Sequence, residues 1–210
     1  MRNADTRGIA KGVCGWTVVV VACLLLAAPL AAQEEGQMPE MSPEEQAMMQ
    51  AWMAAGTPGE QHADLAKHAG DYSLTVKSWM DPAAEPEVSQ GSAHSEMVLG
   101  GRVLHETVEG DMMGMPFNGI GYTGYNNTTG KYWSVWMDSM STALGVGEGT
   151  WDAEAGGLAM TMEYVDPMTK ATKTARTLSR HRDDGTMVFE WFEDREGTEA
   201  KTMEIVYTPK

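Results

Sequence analysis

The chain has 210 residues, with 30 Asp plus Glu against 15 Lys plus Arg, a net charge of −15 and a pI near 4.6. That length points to one ordinary domain, and that charge excludes a nucleic-acid partner, because neutralising phosphates needs clustered Lys and Arg. A hydrophobic share of 42% can build a core, and 23 Gly together with many Thr, Tyr and Trp suit strands and turns better than a helical bundle.

The chain opens with Arg2, Arg7 and Lys11 ahead of an apolar run over 13–28, which ends in Pro29, Leu30, Ala31 and Ala32. This is the pattern of a secretory signal peptide over 1–32, cut before Gln33. An uncleaved anchor is the alternative, for which the apolar run is short. Cys23 follows Val20, Val21 and Ala22 in a faint lipoprotein box, yet Leu24, Leu25 and Leu26 continue the apolar stretch and place it mid-segment. The expectation is export to the bacterial periplasm or exterior, with no stable membrane insertion after cleavage. Cleavage would remove three of the 15 basic residues, one of the 30 acidic ones and both cysteines, leaving 178 residues at a net charge of −17. Such a chain has no disulfide, no thiolate metal ligand and no cysteine nucleophile.

A polar, disordered leader is expected from residue 33 to about residue 40. Ser42, Pro43, Glu44 and Glu45 then supply an N-cap, a first-turn proline and acids for a helix to about residue 55. Met48, Met49, Trp52 and Met53 cluster on it at helical spacing, and Gly56, Thr57, Pro58 and Gly59 end it. A second short helix over about 60–69 uses Leu65 and Ala66 as apolar contacts. After Gly70 the period becomes two, with Tyr72, Leu74, Val76 and Met80 opposite Ser73, Thr75 and Lys77. Strands are predicted over 72–80, 88–99, 102–109, 117–125, 131–138, 142–151, 158–165, 172–182, 186–194 and 199–208, separated by Gly, Asn, Asp or Pro turns. Ten short strands without a crossover helix imply an all-β, up-and-down antiparallel meander. Closing it, with 72–80 beside 199–208, gives a barrel domain over 70–210 whose interior can hold a small ligand, capped by the N-terminal helices.

Several short motifs then occur in one order: Leu99-Gly100-Gly101-Arg102, Gly114 to Gly121, Thr123-Gly124-Tyr125-Asn126-Asn127, and Trp136-Met137-Asp138-Ser139 through Thr142. With the Met- and Trp-containing helix, Pro58-Gly59 before His62, and the closing Met203-Glu204-Ile205-Val206-Tyr207, the chain resembles secreted bacterial proteins grouped as domain of unknown function 1579. The resemblance covers about 42–207. It implies a lipocalin-like β-barrel and brings no established activity or ligand. Where that family tends to have Gly-Tyr-Asp-Asn, this chain has Asn126 after Tyr125.

Gly119, Gly121 and Gly124 spell G-x-G-x-x-G, but a dinucleotide site needs a helix after the motif, and here a strand follows. Glycines inside a barrel strand mark bending or close packing instead. His105-Glu106 with Glu109 falls short of H-E-x-x-H, and strand geometry would separate the two ends. His181-Arg182-Asp183 lacks every companion of a kinase loop. The Gly100-Gly101 turn pairs Leu99 with Arg102, Met97 with Leu104 and Glu96 with His105. The face bearing Ser95, Met97, Leu99, Arg102, Leu104 and Glu106 is the more apolar and is expected inside. Arg102 and Glu106 would then lie inside or at the mouth of the barrel and form an internal ion network or meet a polar ligand. The other face groups His94, Glu96 and His105, either as a solvated surface or as a divalent-metal site.

Period alone does not say which face of 131–138 is inside; the family resemblance favours Trp136 and Asp138. With Arg102 and Arg176 nearby they would form an amphipathic pocket, the alternative being a packed aromatic core. Methionine is abundant, with 18 in the chain, and its thioethers either fill core gaps or bind Cu(I). The ligand-contacting candidates are thus Arg102, Glu106, Tyr125, Trp136, Asp138 and Arg176. The functional expectation is an exported barrel that binds a small amphipathic or polar molecule without catalysis, since the sequence has no G-x-S-x-G elbow and no grouped Ser, His and Asp. No cofactor is assigned. The alternatives are a metal or haem binder using barrel-wall histidines, and a structural protein with a filled barrel.

Overall fold

The computed structural model describes residues 41–112 and 114–210. The signal peptide expected over 1–32, the leader to residue 40 and Met113 lie outside the described residues. Helix α1 (Pro43–Gly56) starts with the full capping box: Glu45 N donates to Ser42 Oγ at 3.3 Å, and Ser42 N donates to Glu45 Oε2 at 2.7 Å. None of its residues is buried, and Trp52 is 75% exposed. The short helix α2 (Glu60–Ala66) is capped by His62, whose Nδ1 accepts from Gly59 N at 3.1 Å. None of the helices among the described residues is long and apolar enough to cross a membrane.

Ten antiparallel strands follow: β1 (Gly70–Ser78), β2 (Glu87–Val98), β3 (Val103–Met112), β4 (Met115–Asn126), β5 (Lys131–Asp138), β6 (Gly145–Asp152), β7 (Gly157–Val165), β8 (Thr172–His181), β9 (Met187–Arg195) and β10 (Thr198–Pro209). Each pairs with its neighbour in sequence, and β1 pairs with β10 from Tyr72↔Pro209 to Ser78↔Met203, so the sheet closes. Closure satisfies both would-be edges. The fold is therefore the closed up-and-down barrel that the alternating pattern predicts. Strand β6 begins three residues later than expected, after a turn in which Ser141 Oγ accepts from Ala143 N.

The β2–β3 hairpin has the expected register, with Met97↔Leu104 and Glu96↔His105, up to a closing pair of Val98 and Val103. The turn, however, takes four residues rather than two. Leu99 adopts a left-handed φ of 51°, followed by Gly100 at 64° and Gly101 at 82°, so Leu99 and Arg102 leave the ladder.

Two clusters make the core. Tyr72, Leu74, Ala93, Val108, Met187 and Tyr207 pack across the β9–β10–β1–β2–β3 wall. Leu65 of α2 meets Leu104, Tyr132 and Met160, so the helix seals one end of the barrel with a leucine 3% exposed. Burying a leucine this fully contributes on the order of 2 kcal/mol.

Candidate functional site

Between that plug and the opposite end lies a cavity of about 330 Å³, within the range of small-molecule sites. Its floor includes Leu65 and His68; its walls carry inward residues of most strands, including Leu74, Phe117, Met160 and Phe189. The loops at the unplugged end expose Met80, Met140 and Met168, and the start of β4 exposes Met115. No Lys or Arg is among the described residues lining the cavity.

Trp136 lines this cavity because of β4. It lies opposite Gly121 in the β4–β5 ladder, and its indole covers both Gly121 and Gly119. A Cβ at Gly119 would sit 2.3 Å from Trp136 Cζ2, and one at Gly121 would sit 3.1 Å from Cε3. On the outer face Gly124 seats Trp133 in the same way, 2.4 Å from its Cζ2. The G-x-G-x-x-G string is therefore a bed for two tryptophans. Trp136 Nε1 donates to Asp138 Oδ2 at 2.9 Å, and Asp138 Oδ1 accepts from Met140 N at 3.0 Å, fixing the ring across the wall. Phe117 stacks on the indole at 6.5 Å between centroids.

Among the described acids lining the cavity, Glu106 is the one whose carboxyl is desolvated enough to shift. It lies on β3 across from Ser95 on β2 and Gly121 on β4. Ser95 Oγ donates to its Oε2 at 3.1 Å, and Tyr207 Oη donates to its Oε1 at 3.3 Å. Burial pushes this carboxyl above its ordinary range, and the two hydrogen bonds only partly oppose the shift. Full burial and the neighbouring carboxyl hold the Tyr207 phenol protonated to high pH.

The other sequence candidates lie elsewhere. Arg102 is exposed, and its placement inside the cavity is corrected: the four-residue turn swings it outward, where Nε donates to Gly56 O at 2.9 Å and Nη1 to Leu99 O at 3.1 Å. Arg176 is also outside. It holds Glu199 with two 2.8 Å bonds and lies over the Phe192 ring at 4.0 Å, opposite Phe192 in the β8–β9 ladder. Tyr125 packs under α2, edge-on to His62 at 5.9 Å and to Tyr132 at 4.9 Å, at the sealed end. Asn126 closes its own turn by accepting from Thr128 N at 2.9 Å.

His94, Glu96 and His105 occupy the outer face and do not converge. His94 Nδ1 is 2.8 Å from Asp71 Oδ1, whereas His105 Nδ1 is 3.9 Å from Glu96 and its ring stacks on Tyr122 at 4.8 Å. Among the described residues, no group of three or more His, Cys, Asp or Glu is placed to hold a metal ion.

A closed ten-stranded antiparallel barrel around an apolar cavity defines a lipocalin-like β-barrel protein. The family described as "Protein of unknown function (DUF1579)" matches residues 57–209, more than half of the chain, and the chain belongs to that family. None of the curated proteins matches it.

Sequence reasoning placed neither His68 nor Met187 near a cavity, and their approach depends on closure between chain segments 119 residues apart. A signal was present for Trp136: glycines at 119 and 121 directly precede a strand with a tryptophan at the paired position.

Proposed function

We propose that this protein is an exported, non-catalytic carrier of a small, largely apolar molecule bearing a hydroxyl or amine. The observation that carries the reading is the cavity lining: apolar side chains, one buried carboxyl at Glu106 and no Lys or Arg among its described residues. An anionic ligand would lose its hydration in that cavity without meeting a cation, a cost of several kcal/mol in order of magnitude. A hydroxyl or ammonium group instead finds an acceptor in Glu106, whose two oxygens each receive only one donor from the protein. Binding without catalysis fits the polar groups, because Ser95 and Tyr207 donate their hydroxyl protons to Glu106 and Trp136 donates to Asp138, which gives both carboxyls structural partners. Export rests on the signal-peptide pattern over 1–32.

Three probes of one shape provide the test: 1-naphthylmethylamine, 1-naphthylmethanol and 1-naphthoate, titrated against tryptophan emission, to which Trp136 and Trp191 in the cavity wall respond. The amine and the alcohol should bind, and the carboxylate should bind about tenfold more weakly or worse, a difference of about 1.4 kcal/mol. Equal or tighter binding of the carboxylate would refute the proposed ligand class. Binding of none of them, with no organic mass retained by protein from its own host in native mass spectrometry, would favour a filled barrel.

A further inference from the structure

At the margin of the cavity, three side chains with soft or borderline donor atoms meet where the sealed end of the barrel joins its wall. His181 and Met187 are directly opposed in the β8–β9 ladder, so their side chains leave the sheet on the same face. His68, just past α2, comes down on that pair. Its Nδ1 is 2.8 Å from Met187 Sδ, and its ring centroid is 4.5 Å from that of His181 at an interplanar angle of 37°. A cleft of about 440 Å³, lined by Lys67, Gly185, His181 and Met187, gives solvent access to this point.

We propose that His68, His181 and Met187 form a binding site for a soft monovalent metal ion, Cu(I). Two imidazoles and a thioether are a donor set suited to that ion, because the thioether selects for softness and the three ligands suit low coordination. Hard divalent ions find no carboxylate among the three. The thioether carries no proton to displace, and a neutral imidazole offers one ring nitrogen as a donor. Lys67 beside His181 disfavours a second cation, but its ammonium is tied to Asp64 at 2.5 Å. His68 and Met187 also line the cavity, but neither Glu106 nor Trp136 is a ligand here, so the proposal does not depend on the ligand class assigned to the cavity.

The test is anaerobic titration of the purified chain with Cu(I) in competition with bicinchoninate, read by absorbance. One Cu(I) per chain is expected. His181→Gln and Met187→Leu should each weaken binding by about tenfold or more, as loss of a ligand or its support does. His181 is exposed at a strand end, and Met→Leu conserves core volume, so both variants should keep the wild-type circular dichroism. Met48→Leu combined with Met53→Leu, on the exposed face of α1, should leave the affinity unchanged. X-ray absorption of the copper-loaded protein should show one sulfur beside nitrogen neighbours, and no sulfur in Met187→Leu. Absence of Cu(I) binding, unaltered affinity in both single variants, or loss of binding in the α1 variant would overturn the proposal.

Discussion

The indole of Trp136 lies so close over Gly119 that a single added carbon on the glycine would sit 2.3 Å from the ring. The ring has little room to yield, because its nitrogen is bonded to Asp138 and Phe117 stacks against it. Gly119→Ala should therefore destabilise the barrel by about 1–3 kcal/mol, the usual cost of overpacking. Urea denaturation checks this. In a Trp136→Ala background the same substitution should cost far less, and equal costs in the two backgrounds would mean that the ring does not impose the glycine.

The second prediction follows from the buried carboxyl. Because the folded-state pKa of Glu106 is raised above the ordinary glutamate value of 4.5, the folded chain holds this proton more tightly than the unfolded chain does. Its contribution to stability is intact at acid pH and declines as pH rises from about 4.5 through the folded pKa. Glu106→Gln keeps the shape and removes the titration. The variant should gain stability relative to wild type as pH rises through that window, with no such gain below it. Paired denaturation curves at several pH values read the difference, and a gap independent of pH would contradict the assignment.

How much of this was legible in the sequence divides along a physical line. Alternation in β1, with Tyr72 and Leu74 opposite Ser73 and Thr75, reports which residues share a face, and the structure buries the first pair. The Gly100-Gly101 turn set the β2–β3 register, because the pairs next to a short turn are determined locally. The direction of Arg102 was not legible. It sits in the turn itself, where a positive φ at Leu99 breaks the alternation that would have carried it inward. Nor was the direction of Arg176, which shares the outer face with Phe192, because that depends on the register of β8 against β9. His68 and Met187 meet only after every strand has found its neighbour, so no local pattern announces them.

The outward position of Arg102 leads to a third prediction. An exposed guanidinium on three backbone carbonyls should matter little to global stability, and Arg102→Met should change it by less than about 1 kcal/mol. Asn127 also holds the end of α1, with Nδ2 lying 3.1 Å from Ala54 O, 3.2 Å from Ala55 O and 2.7 Å from Thr57 O. Asn127→Ala should loosen α1, seen as faster protease cleavage within 43–59, while the unfolding midpoint of the barrel stays put. A large drop in that midpoint would show that the helix anchor is part of the barrel core.

The fourth prediction concerns processing. Protein recovered from the export compartment should begin at or within a few residues of Gln33, and it should melt at the same temperature with and without reductant, since Cys14 and Cys23 both precede the cut. N-terminal sequencing and a melt with reductant decide the matter. Retention of Met1 on membrane-bound material would defeat the cleavage reading.

Closure between β1 and β10 also bears on the order of events in the cell. Synthesis makes β1 first and β10 last of the strands, yet each is the other's hydrogen-bonding partner along its length. The wall therefore stays open, and Tyr72 waits for Tyr207 to complete their edge-to-face contact, until the final strand has left the ribosome. Contacts of such long sequence separation form slowly, because the chain loses much loop entropy before they stabilise it. A nascent barrel of this topology stays unlocked until β10 can pair with β1.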